Sequence, residues 1–281
     1  MKKSELFRKL ASNKNILKII GTPTPLCAIL AENMNAKAIY LSGASVSNFL
    51  HGVTDTGLVS MNDVLEAAQS ITQKSKLPLL VDIDTGFNDL SGVISRMTKI
   101  NVAAVHIEDQ NIQFKRCGHL QGKQVVSKSE MCERVNYAFT SIPDDKDLVI
   151  MARTDAYAIE GLNKTIERAK SYIENGAEMI FVESLKTLDE YTLFCKELGP
   201  VPVLANITEF GCTPLLKDSD LERAGVSMAL YPRSIERTMM YAAEKMINEI
   251  EMHGSQKNLI NKMMDRHRTN ELLNYSASVI D

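Results

Sequence analysis

The chain has 281 residues, of which 44% are hydrophobic and 24% charged, with a formal net charge of −3. That length and apolar content suit one large α/β domain with a full core, spanning residues 1–281 without a linker, repeat or low-complexity break. Lysines and arginines are scattered among acids, which excludes the strongly basic face that nucleic acid needs, and no apolar run reaches the roughly 20 residues that span a bilayer.

The start is basic but lacks the continuous apolar stretch of a secretory signal, and reads as a short amphipathic helix carrying Leu6, Phe7 and Leu10. Short apolar, β-branched runs then recur at 16–21, 36–42, 78–84, 103–109, 148–155, 178–183, 202–208 and 226–231. Nearly continuous hydrophobicity is what parallel strands covered on both faces require. Helical periodicity fills the intervals, as in 163–175 with Ile166, Ala169, Tyr172 and Ile173. Eight such alternations predict a single (β/α)8 barrel. A doubly wound sheet would more often carry a phosphate-binding glycine motif after its first strand, and none is present. The segment from about 234 to 273, rich in helix formers and methionines, exceeds one closing helix and predicts a helix that packs on a neighbouring subunit.

Polarity is concentrated at the strand ends: Tyr40-Leu-Ser-Gly43, Asp82-Ile-Asp84, Glu108-Asp109, Arg153-Thr-Asp155, Glu183-Ser184 and Asn206-Ile-Thr208. Barrel enzymes build their sites from those ends, so the gradient predicts which mouth is the site. Asp82 and Asp84, two apart on a strand, are expected to point the same way and to need a cation between them. Oxygen donors with room for water favour Mg2+, with Mn2+ as a substitute, over zinc. Glu108 and Asp55 are candidates to hold metal-associated water. Arg153, Arg237 and Arg266 are candidates to gather around a small polyanion, since arginine grips carboxylates through two parallel donors.

The five cysteines are odd in number, widely spaced and free of Cys-x-x-Cys, which predicts reduced thiols in a cytoplasmic protein. Four of them, Cys27, Cys132, Cys195 and Cys212, are expected to be small buried residues. Cys117 differs, because Lys115, Arg116 and His119 frame it and cations lower a thiol pKa. An ordinary basic loop is the plainer alternative, but its place after an acidic strand end favours chemistry.

Several stretches together resemble one family: Ile39-Tyr-Leu-Ser-Gly-Ala44, Leu79-Leu-Val-Asp-Ile-Asp-Thr-Gly-Phe87, His106-Ile-Glu-Asp-Gln110, Lys115-Arg-Cys-Gly-His119, Met151-Ala-Arg-Thr-Asp155 and Leu204-Ala-Asn-Ile-Thr-Glu-Phe-Gly211. They are similar, in the same order, to the 2-methylisocitrate lyase branch of the isocitrate lyase and phosphoenolpyruvate mutase superfamily. The resemblance implies Mg2+-dependent cleavage of 2-methylisocitrate to pyruvate and succinate in propionate catabolism. It implies Mg2+ on Asp82 and Asp84, and substrate on the loop Ser42, Gly43 and Ala44. Cys117 would be the catalytic acid, with Gly118 beside it on a mobile gating loop. Arg153, Glu183, Asn206, Ile207, Thr208, Arg237 and Arg266 would contact the tricarboxylate, and the subunits would form a homotetramer with exchanged C-terminal helices. Tyr40 or a metal-linked carboxylate would be the base. Departures at Ala44, Val182, the Val53-Thr-Asp55 run and Asn88-Asp89 bear on pocket shape and substrate choice. Isocitrate cleavage, or a phosphonopyruvate mutase or oxaloacetate decarboxylase reaction, is the alternative within the superfamily.

Overall fold

Each of the eight apolar runs forms a strand, and the strands pair in parallel in chain order until the eighth closes on the first. The structure is a computed structural model and describes residues 1–112 and 122–275. The strands are β1 (Leu17–Gly21), β2 (Ala38–Leu41), β3 (Leu79–Asp82), β4 (Ala104–Glu108), β5 (Val149–Thr154), β6 (Met179–Val182), β7 (Val203–Asn206) and β8 (Met228–Tyr231). Each is a little shorter than its apolar run.

The helices are α1 (Lys3–Ala11), α2 (Pro25–Asn33), α3 (Met61–Thr72), α4 (Leu90–Lys99), α5 (Lys128–Thr140) and α6 (Tyr157–Glu160). They continue as α7 (Leu162–Glu174), α8 (Leu188–Leu198), α9 (Asp218–Arg223), α10 (Ser234–His253) and α11 (Arg266–Leu272). A π-helical turn covers Ser45–Leu50. Helix starts are set locally: Thr24, Ser60, Asp89, Ser127 and Thr187 each accept a first-turn backbone N–H through the side chain. None of the described helices is long and apolar enough to cross a membrane.

Strand side chains alternate between two hydrophobic sets. Ile39, Leu79, Val105, Ile150, Ile180 and Val203 face the helices, while Ala38, Leu80, Ala104, Met151, Met179 and Leu204 fill the barrel. The inner set extends downward to Phe7 and Ala11 of α1, so the N-terminal helix plugs the bottom of the barrel. Arg8 fastens that plug, donating to Glu178 at 2.5 and 2.8 Å and to Asp147 at 2.8 Å. Because Phe7 is completely buried, Phe7→Ala is expected to cost about 3–5 kcal/mol, seen as a lower urea midpoint with an unchanged slope. A loss below about 1 kcal/mol, within the range of ordinary surface substitutions, would contradict the plug.

One expectation needs correction here. Cys27 and Cys195 are buried, but Cys132 is only half-buried and Cys212 is exposed. α10 does emerge as a long surplus helix, with Glu236 its one buried residue.

Candidate active site

The inward-facing alternation that fills the barrel with apolar layers continues upward into polar ones. Ala38 is followed inward by Tyr40 and then Ser42, Ala104 by His106 and Glu108, Met151 by Arg153 and Asp155. On the next strands, Met179 leads to Phe181 and Glu183, and Leu204 to Asn206 and Thr208. Ser42, Asp82, Arg153, Glu183, Asn206 and Thr208 line one cavity at the C-terminal mouth, with Asp55, Ala44, Arg233 and Arg237 at its rim.

Asp82 and Asp84 do converge, although by a different route from simple alternation. β3 stops at Asp82, and Asp84 takes a left-handed backbone with φ of 51°. Both carboxylates then meet at Gly43, where a Cβ would lie 3.3 Å from Asp82 Oδ2 and 3.4 Å from Asp84 Oδ1. Gly43 N–H donates to Asp82 Oδ2 at 3.2 Å, and Asp84 N–H to Asp82 Oδ1 at 3.0 Å. The glycine is what lets the backbone approach. Two carboxylates brought together beside a buried cavity fit a hard divalent cation, one that takes oxygen donors and keeps several waters. Among the described residues no group of three or more His, Cys, Asp and Glu could hold a metal.

Beneath the acids, Tyr40 and His106 are buried and hydrogen-bonded through the phenol oxygen and Nε2 at 2.9 Å, and His106 Nε2 lies 3.7 Å from Asp82 Oδ1. Burial, and then the charge of Asp82, push the Tyr40 phenol well above its ordinary value. It is held as a phenol, so Tyr40 has the lesser claim to be the base.

Arg153 is the buried cation of the mouth. Asp155 accepts from its Nε at 2.9 Å and from its second terminal nitrogen at 3.1 Å. Glu108 lies 3.5 Å away and Glu183 3.8 Å, while the guanidinium sits 5.0 Å from the Phe181 ring centre. Burial opposes the charge, and Asp155, Glu108 and Glu183 outweigh it, so Arg153 stays protonated. Glu183 also accepts from Asn206 Nδ2 at 3.2 Å. Asn206 Oδ1 is buried without a hydrogen-bond partner in the structure, leaving an acceptor for a ligand hydroxyl. Arg237 is fixed from outside by Glu209, at 2.5 Å to its carbonyl and 2.9 Å to its carboxylate, and lies over the Phe210 ring.

Four expected residues are not among those that line the mouth in the described structure. Ile207 follows the outward alternation and packs in the core between barrel and helices, so only its backbone is near the mouth. Arg266 is exposed at the start of α11, which packs on α2, and does not line the mouth of its own chain. Cys117 and Gly118, with Lys115, Arg116 and His119, lie outside the described residues.

Sequence reasoning missed Arg233, which lines the mouth and donates to Glu236 at 2.8 Å and Asn48 at 2.9 Å. Glu236 is completely buried and accepts from Ser45. The strand-end rule that flagged six other strands would have found Arg233 had it been carried past β8.

The sequence model of the phosphoenolpyruvate phosphomutase family matches residues 7–251. The chain is 46% identical over 274 residues to a 2-methylisocitrate lyase of Shewanella oneidensis, covering 96% of this chain and 93% of that protein. It is 44% identical to the 2-methylisocitrate lyase of Escherichia coli, with coverages of 96% and 91%, and 39% identical to that of Bacillus subtilis, with 96% and 88%. The fold superposes on the crystal structure of 2,3-dimethylmalate lyase, a PEP mutase/isocitrate lyase superfamily member, with a TM-score of 0.91. That match has 25% identity and covers 99% of this chain and 94% of the other.

Proposed function

The chain belongs to the phosphoenolpyruvate phosphomutase family, and within it we propose a Mg2+-dependent lyase that cleaves 2-methylisocitrate to pyruvate and succinate. The observation that carries this reading is the meeting of two acids at Gly43 with Arg153 at the same mouth, in a chain so similar along its length to 2-methylisocitrate lyases. Asp82 and Asp84 would hold the ion, with Mn2+ as a substitute. When bound there, it would lower the pKa of the substrate hydroxyl and stabilise the developing carbonyl.

The protein's own groups supply the rest. The loop Ser42, Gly43 and Ala44 would hold one carboxylate, and Asn206 Oδ1 would accept from the substrate hydroxyl. A carboxylate base would take the hydroxyl proton. The bond from the hydroxyl-bearing carbon to its carboxyl-bearing neighbour then breaks, and the electron pair moves into that neighbour's carboxylate. Arg153 and Arg237, with Glu183 and Thr208 orienting them and the ligand, would stabilise that charge. Cys117, beside Gly118, would donate the proton that completes succinate.

A cytosolic homotetramer with exchanged C-terminal helices fits the exposed apolar residues of α10, among them Met240, Tyr241, Ile247 and Met252. In such an assembly Arg266, remote from its own mouth, would serve a partner's.

The test is a panel of 2-methylisocitrate, isocitrate, phosphoenolpyruvate and oxaloacetate, each with Mg2+. The highest kcat/KM is expected for 2-methylisocitrate. Because a single methyl group discriminates by only about 1–3 kcal/mol, isocitrate is expected to be cleaved about 10–200-fold less well. Preferred turnover of phosphoenolpyruvate or oxaloacetate would replace this reading.

A further inference from the structure

Among the described residues, a further buried cation whose charge no step above uses lies behind the mouth. Lys123 follows β4 on the segment leading to α5, and its ammonium pairs with Asp155, the carboxylate that holds Arg153. Lys123 and Asp155 are only 9% and 2% exposed, which places the pair behind the cavity rather than in it.

The backbone around this pair is fixed from several sides. Gln110 bridges Val125, Asn111 N–H donates to Gln124 at 2.8 Å, and Val126 N–H donates to Asp109 at 2.9 Å. Arg168 of α7 donates to the Val126 carbonyl at 2.9 Å. Asp109 in turn accepts from Asp155 N–H and the Thr154 hydroxyl, both at 2.8 Å, and from the Tyr172 hydroxyl at 2.9 Å. The segment that carries Lys123 is thus held immediately after it, at Gln124, Val125 and Val126.

Charge arithmetic gives the pair a purpose. Arg153 is within 4 Å of three carboxylates, Asp155, Glu108 and Glu183. Lys123 takes up the charge of one of these three, Asp155, and so leaves more of the Arg153 charge for a carboxylate ligand. We propose that Lys123 is a positioning residue that neutralises Asp155, so that Arg153 presents its positive charge to the substrate carboxylate. The proposal rests on the reading that Arg153 binds a carboxylate. Burial pushes the Asp155 carboxyl up, but the cations of Arg153 and Lys123 outweigh that and hold it well below the usual range, so the pair is ionic. Removing one partner of such a pair strands the other's charge in the interior.

The test is calorimetric titration of oxalate with saturating Mg2+, alongside turnover. Lys123→Met is expected to bind oxalate about 10–100-fold more weakly, with a matching rise in KM and a smaller change in kcat. Lys123→Arg is expected to stay within about threefold of the wild-type protein, since it restores the charge. The double variant Lys123→Met/Asp155→Asn, which removes both charges, is expected to bind more tightly than Lys123→Met alone. A purely structural role predicts that oxalate affinity falls only as far as the melting temperature of each variant does, so thermal melting is run in parallel. Wild-type affinity in Lys123→Met, or a double variant weaker than the single, overturns the proposal. Should Lys123→Met fail to fold, the neutral double variant decides: binding within about tenfold of wild type supports charge balance, and weaker binding refutes it. Loss of oxalate binding that tracks these charges, without turnover of 2-methylisocitrate by the wild type, would sink the functional reading and leave this one standing.

Discussion

Replacing Cys117 with serine is expected to lower turnover of 2-methylisocitrate by about 10²–10⁴-fold, the contribution of a well-placed general acid. Serine nearly preserves shape, so binding of Mg2+ and of oxalate should stay close to wild type. The difference lies in acidity, since a thiol gives up its proton far more readily than an alcohol. Steady-state rates paired with calorimetry separate the two quantities. Near-normal turnover in Cys117→Ser would remove this thiol from its role.

Asp82→Asn is expected to fail at a different stage. One of the two carboxylates that meet at Gly43 would no longer attract the ion, and kcat/KM should fall by about 10³-fold, reflecting several kcal/mol of lost Lewis-acid stabilisation. High Mg2+ should restore part of the activity in Asp82→Asn and none in Cys117→Ser. Thermal melting gives a readout independent of catalysis. Mg2+ should raise the melting temperature of the wild-type protein, because it binds only the folded state, and should raise that of Asp82→Asn much less. An equal shift in both would place the ion elsewhere.

The barrel was legible because its signal is repeated. Eight apolar runs, six of them ending in polar residues, give both the closed sheet and the choice of mouth. The site was legible where strand alternation fixes direction, as for Arg153, Glu183 and Asn206. It was less so where the chain leaves the strand. Asp84 reaches Asp82 through a left-handed residue that alternation does not foresee. Ile207 sits between two inward residues and so faces the core. Arg233 and Lys123 were overlooked because each lies beyond a strand, and an isolated cation in a sequence resembles any surface charge. Their meaning comes from the acids they meet, Glu236 and Asp155, which lie at unrelated or unremarked positions. Arg266 shows the complementary limit, since a motif position says nothing of which mouth, if any, its side chain reaches.

The most direct measurement is product analysis of purified enzyme given 2-methylisocitrate and Mg2+, with a chelated sample in parallel. Equimolar pyruvate and succinate, formed only when the divalent ion is present, is the expected result. Pyruvate and succinate at undiminished rate in the chelated sample, or no cleavage in either, would contradict the account.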